Sequence, residues 1–127
     1  MIVVIGRMNQ TAWLFYTITH KGFMTDHSLL QQIKAQVHQV EPNAEIIFYG
    51  SRARGNAEPD SDWDFIILVD GVVTDERVDM LRHHLYELEW ETGEVLSCIV
   101  RSHKDWQTSL YQATSLYQNA EREGVRL

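Results

Sequence analysis

From Thr25 onward, apolar and polar positions follow the periods expected of helices and strands. A helix is predicted from Thr25 or Asp26 to about Val40, because apolar residues recur every three or four positions along one helix face. These apolar positions are Leu29, Leu30, Ile33, Val37 and Val40. Asp26 or Ser28 can cap the first exposed amides, and Pro42 prevents the helix from continuing.

Three apolar runs of strand length predict a sheet. They are Ile46–Tyr49, Asp62–Val69 and Glu94–Arg101. Within the second run, Phe65–Val69 is apolar at every position, which is typical of a central strand covered on both faces. Because helical patterns separate and follow these runs, the predicted fold class is α/β (α+β), a small mixed sheet flanked by helices.

Helices are also predicted after the second and third strands. Thr74 can cap a helix that ends at Gly93. The apolar positions of this helix are Val78, Leu81, Leu85 and Leu88. Ser102 opens a capping box and therefore a further helix. That helix carries Trp106, Leu110 and Ala113. A last short helix is predicted to start at Thr114 or Ser115.

The first 23 residues are interpreted separately from the domain predicted at 24–127. Met1–Gly6 and Trp13–Thr19 have strand-like composition, and Arg7 interrupts the apolar stretch that a secretory signal would need. Two interpretations of 1–23 stay open. One is an extension that results from a start codon assigned too early, and the other is an added strand or partner-binding arm.

Composition narrows the possible settings and partners. A chain of 127 residues with net charge −7 is expected to be one domain, and its charge argues against nucleic acid as a partner, since such binding neutralises phosphates. The single cysteine, Cys98, excludes an intrachain disulfide and fits a reducing, cytoplasmic location. No apolar run is long enough to predict a membrane span.

The candidate chemistry lies between the first two predicted strands. Gly50 and Ser51 follow the first strand and open a short helix, whose free amides suit a phosphate group. Asp62 and Asp64 stand two positions apart at the start of the second strand, so their side chains are predicted to share a face. Two neighbouring carboxylates repel each other unless a cation lies between them, and Mg²⁺ prefers such oxygen ligands together with substrate phosphates. The alternative is an ordinary turn followed by a solvated acidic loop.

This pattern resembles the signature of the DNA polymerase beta-like nucleotidyltransferase superfamily. The resemblance rests on Gly50-Ser51-Arg52-Ala53-Arg54-Gly55, the ten-residue gap, and Ser61-Asp62-Trp63-Asp64. In size the chain is similar to the minimal nucleotidyltransferases (MNT), which act as antitoxin-like partners of HEPN-domain toxins.

The resemblance implies an enzyme that moves a nucleoside monophosphate, AMP from ATP, to a protein or small-molecule acceptor. It implies that Gly50, Ser51 and Ser61 bind the nucleotide triphosphate. It also implies that Asp62 and Asp64 are catalytic and hold Mg²⁺, with a two-metal site as an option. Arg52 stands beside this site and is expected to bind the triphosphate, because a guanidinium matches the geometry of phosphate oxygens. The alternative for Arg52 is an ion pair with Glu58, Asp60 or Asp62.

One departure from the family pattern affects the expected activity. Many members carry a third acid on the strand that corresponds to Glu94–Arg101, and alignment of that strand places Ser97 at this position. Glu94 is the nearest acid, but it is an odd number of positions away and is expected to face the other side. The alternative function is therefore a catalytically weakened module that binds a nucleotide or a partner, with Trp63, Trp90 or Trp106 as surface anchors.

Overall fold

The computed structural model describes residues 26–127. The chain divides into two units, Met1–Gln31 and Gln32–Leu127, and the sheet and the candidate site belong to the second. The two interpretations of residues 1–23 fall outside the described residues and stay predictions.

The described chain alternates helices and strands in the predicted order. Helix α1 covers 26–40 and is followed by β1 (Glu45–Tyr49), α2 (Ser51–Arg54), β2 (Trp63–Val69), α3 (Asp75–Thr92), β3 (Leu96–Ser102), α4 (His103–Trp106), α5 (Ser109–Gln112), α6 (Ser115–Glu123) and β4 (Val125–Arg126). The α/β fold class is confirmed.

The sheet is mixed, with strand order β3-β2-β1-β4. β2 pairs antiparallel with β1 and parallel with β3, and β4 pairs antiparallel with β1. The parallel pair is connected by α3, because parallel neighbours need a crossover. The apolar run of β2 is buried on both faces, as its sequence predicts.

The two faces of the sheet have different covers. One face, here called the Trp106 face, is packed by α4 and α6 through a buried cluster of Ile47, Ile66, Leu68, Trp106 and Ala120. The opposite face, here called the α3 face, carries Phe48, Trp63 and Phe65, and the Phe48 ring stacks on both of the other rings. Because strand residues alternate, a side chain one position away from Trp63 belongs to the Trp106 face.

The region after β3 differs from the prediction of one continuous helix. Two short helices form, because the Thr108 hydroxyl donates to the Asp105 carbonyl and accepts from the Tyr111 amide, which ends α4 and caps α5. Leu110 is consequently 78% exposed and does not join the core. The predicted caps at Ser102 and Thr114 are confirmed, each accepting from a backbone amide three residues ahead.

Strand β4 was not expected from the sequence, because two residues are too few to show a period. Among residues 26–127, no helix is both long and apolar enough to cross a membrane.

Candidate functional site

The turn from β1 into α2 is formed by Gly50. Its φ of 86° and ψ of −166° belong to a region that is essentially restricted to glycine. A Cβ atom at this position would lie 2.5 Å from Oδ2 of Asp64, so the glycine backbone lies directly against that carboxylate. The predicted phosphate turn and the predicted acid pair are therefore adjacent in space, although fourteen positions separate Gly50 from Asp64.

Asp64 lies in the first part of β2, opposite Tyr49 of β1 and Ser97 of β3. It is half-buried, whereas Asp62, just before the strand, is exposed. Burial raises the pKa of Asp64, the negative charge of Asp62 raises it further, and the positive charge of Arg54 lowers it. The two aspartates thus interact electrostatically, as expected for carboxylates that share a face at the mouth of a strand.

Arg52 fixes the segment that connects the turn to the acid pair. Its guanidinium donates to the carbonyl oxygens of Pro59 and Ser61 at 2.7 and 2.9 Å. The same group lies 4.6 Å from the centre of the Trp63 ring and 3.8 Å from a carboxylate oxygen of Glu94. Arg52 therefore lies on the α3 face, away from Asp64, with contacts that hold the loop before β2. A phosphate contact of Arg52 stays a prediction.

Arg54 is the arginine whose charge reaches Asp64. It also forms an ion pair with Glu123 of α6 at 3.2 Å, so one guanidinium lies between the acid pair and the last helix. Sequence patterns do not predict this ion pair, because Arg54 and Glu123 are 69 positions apart along the chain.

Ser97 is the residue at which the family resemblance predicts a third acid. It lies directly opposite Asp64 in the parallel β2–β3 pair, so both side chains are on the Trp106 face. Glu94 accepts a hydrogen bond from the Trp63 indole at 3.1 Å, which places its carboxylate on the α3 face. Glu94 therefore does not replace the missing acid.

Few side chains at this site could bind a metal ion. In residues 26–127 there is no group of three or more histidine, cysteine, aspartate or glutamate side chains that could hold a metal ion. Asp62 and Asp64 alone would supply two carboxylates, which matches a site that completes its coordination with substrate phosphates and water. Gly50, Ser51 and Ser61 lie at the ends of the two segments that meet here, and their binding roles stay predictions.

One residue beside the acids was missed from the sequence. Tyr49 lies opposite Asp64 and packs against the Trp106-face cluster, and both burial and the Asp64 charge raise its pKa. The sequence signal for Tyr49 is its position directly before Gly50. In the antiparallel β1–β2 pair, that position lies beside Asp64.

Two tryptophans that the sequence offered as surface anchors are buried. Trp63 is 2% exposed and Trp106 is 1% exposed, whereas Trp90 is 79% exposed. Both are core residues, and the indole N–H groups of Trp63 and Trp106 are satisfied by the carboxylates of Glu94 and Glu121.

Residues 30–125 match a sequence family described as "Nucleotidyltransferase domain". Among solved structures, the fold is similar to a chain from "Crystal structure of the toxin-antitoxin with AMP-PNP". The TM-score is 0.54 and the sequence identity is 16%, with 76% of this chain and 69% of that chain covered. No curated protein sequence matches this chain.

Proposed function

The chain belongs to the nucleotidyltransferase domain family, and we propose that it transfers AMP from ATP to a hydroxyl group of an acceptor protein. The observation that supports the proposal is the contact of the Gly50 turn with Asp64, because the predicted phosphate turn then lies beside one of the two predicted acids. In the proposed reaction, the acceptor oxygen attacks the α-phosphorus, the bond to the bridging oxygen breaks, and pyrophosphate leaves. The acceptor proton passes to solvent.

In this proposal, Gly50 and Ser51 bind the phosphates, and Asp62 and Asp64 bind the metal ion. Gly50 permits the backbone of the turn to approach the phosphates closely, and Ser51 supplies a hydroxyl at the start of α2. Asp62 and Asp64 fit Mg²⁺, because burial and the negative charge of Asp62 make the charge of Asp64 unfavourable until a cation is shared. A bound Mg²⁺ would supply positive charge to the reacting phosphate oxygens.

The acceptor and the biological role are proposed from the neighbouring structure. That structure is a toxin–antitoxin complex with AMP-PNP, and its fold is similar to this chain. We propose that this chain has the antitoxin-like role, with a HEPN-domain protein as acceptor and ATP as nucleotide. The small size of the domain and its negative charge support a protein acceptor over a nucleic acid.

A second candidate function is supported by Ser97. Without a third carboxylate beside Asp64, there is no acidic side chain at that position to orient or deprotonate the attacking hydroxyl. A module that binds a nucleotide and a partner protein, but does not transfer AMP, would still use the Gly50–Ser51 turn and the two aspartates. The two functions differ in whether label moves to the partner.

The test uses ATP labelled at the α-phosphate, Mg²⁺ and the protein encoded by the neighbouring gene. We expect label on that protein with the wild-type chain, and none with Asp62→Asn or Asp64→Asn. Asp60→Asn is the matched control, since it removes an exposed acid of the same loop that is outside the pair. Transfer that survives both site variants would refute the assignment, and nucleotide binding without transfer would establish the module.

A further inference from the structure

The first residues of the β3 segment lie directly beside the two aspartates. Ser97 pairs with Asp64 in the parallel β2–β3 ladder. Just before that pair, the Trp63 amide donates to the Val95 carbonyl at 2.9 Å, so the same register sets Val95 beside Asp62. Each acid of the pair therefore has an uncharged neighbour on the β3 side.

The Val95 side chain is on the same face of the sheet as Asp64. Glu94, the preceding residue, is on the α3 face, because its carboxylate accepts a hydrogen bond from the Trp63 indole. Since successive side chains of an extended segment alternate, Val95 and Ser97 are both on the Trp106 face. The two residues therefore continue the surface that carries the acid pair.

Within residues 26–127, the cover of this face begins farther along β3. Ile99 is half-buried, and the Arg101 guanidinium lies 6.0 Å from the centre of the Tyr111 ring of α5. Val95, in contrast, is 52% exposed, and Ser97 is exposed as well. These two residues form a short open surface next to the acids, here called the Val95 shelf.

The Val95 shelf and the Gly50 turn are on opposite sides of the acid pair. In the sheet, β2 lies between β1 and β3, and the Gly50 turn follows β1. If the phosphates bind at that turn, pyrophosphate leaves toward β1. The attacking and leaving oxygens of a phosphoryl transfer lie roughly in line, on opposite sides of the phosphorus. The acceptor therefore has to approach from the β3 side, across the shelf.

We propose that the Val95 shelf binds the acceptor protein through an apolar side chain adjacent to the hydroxyl group that is modified. This inference rests on the proposed function, because the direction of approach comes from the transfer reaction. The apolar preference follows from the exposed methyl groups of Val95 and from the absence of charge on Val95 and Ser97. The neighbouring acids and the net charge of −7 disfavour an acidic acceptor segment.

The test compares Val95→Tyr with Val72→Tyr in the transfer assay with labelled ATP, Mg²⁺ and the protein encoded by the neighbouring gene. Both valines are exposed, but Val72 follows the end of β2 that is distant from the acids. We expect Val95→Tyr to raise the KM of the acceptor about tenfold or more, because the ring fills the shelf, and to leave the Kd of ATP unchanged. Val72→Tyr should match the wild type. Val95→Thr, which replaces one methyl group with a hydroxyl, should raise the KM by a smaller factor.

The outcomes distinguish the shelf from the reaction. If the wild type transfers label, an unchanged KM in Val95→Tyr or Val95→Thr, equal losses in the two tyrosine variants, or weaker ATP binding by Val95→Tyr would refute the shelf and leave the reaction standing. If the wild type binds the partner without labelling it, the reaction is refuted, and calorimetry decides the shelf. A weaker complex for Val95→Tyr alone would then support the shelf, and equal Kd values of the two tyrosine variants would refute it. A wild type that neither binds nor labels that protein would overturn both.

Discussion

Gly50→Ala is the substitution that tests the site geometry most directly. The added Cβ would lie 2.5 Å from Oδ2 of Asp64, and the backbone would hold a residue with a side chain in a glycine-only region. Backbone strain of this kind costs about 1 to 3 kcal/mol, and displacement of the carboxylate adds to it. Gly55→Ala is the matched control, because its φ is also positive at 80° but its Cβ would meet no atom within 4 Å.

The assay is urea unfolding together with Mg²⁺-dependent ATP binding. We expect both alanine variants to lower the unfolding free energy, Gly50→Ala by the larger amount, and only Gly50→Ala to lose nucleotide binding. The contact itself is isolated by a double-mutant cycle with Asp64→Ala, which removes the clashing oxygen. A favourable coupling of about 0.5 to 3 kcal/mol is expected for groups in contact. Zero coupling, or equal effects of the two glycine variants, would refute the close approach of Gly50 to Asp64.

Four further predictions follow from the same geometry. Asp62→Asn removes a repulsive charge, so the pKa of Asp64 should fall, and the carboxyl carbon shift of Asp64 should titrate at lower pH than in the wild type. Because the pKa of Asp64 is raised in the fold, the carboxylate destabilises the folded chain once the pH rises above that pKa. Without divalent cations, Asp64→Asn should therefore raise the unfolding free energy at neutral pH but not at strongly acidic pH. A difference between variant and wild type that does not change with pH would contradict this. Arg52→Lys and Arg52→Ala should both destabilise the chain by about 1.5 to 3 kcal/mol in urea unfolding, since lysine cannot bridge two carbonyls, whereas wild-type behaviour of the lysine variant would favour a phosphate role. Trp106→Ala should cost about 3 to 5 kcal/mol in the same assay because the ring is buried in the cluster, and a loss below 1 kcal/mol would be inconsistent with that packing.

The local part of the site was predictable from the sequence. Gly50 marks a turn, and the i, i+2 spacing of Asp62 and Asp64 places both acids on one face of a strand whatever the rest of the fold. The burial of Phe65–Val69 followed from an apolar run. Each of these inferences needs only neighbouring residues, and the resemblance to a known family then supplied the chemistry.

The parts that could not be predicted depend on contacts between distant segments. Nothing near Arg52 indicates that its guanidinium reaches Glu94 at the start of another strand, or that Trp63 lies beneath it. The predicted helix is divided at Thr108 because the Thr108 hydroxyl bonds to a backbone carbonyl of the preceding turn. The spacing of apolar residues gives no sign of such a bond. The pairing of Arg54 with Glu123 likewise required the position of α6.

The guanidinium of Arg52 contacts both residues that flank Asp62 in the chain. Asp62 is flanked by Ser61, whose carbonyl that group binds, and by Trp63, whose ring it covers. The position of Asp62 relative to Asp64 thus depends on contacts made on the α3 face, the opposite face of the sheet from Asp64. A substitution on the α3 face, at Arg52 or at the residues it contacts, would therefore shift the acid pair without touching either carboxylate.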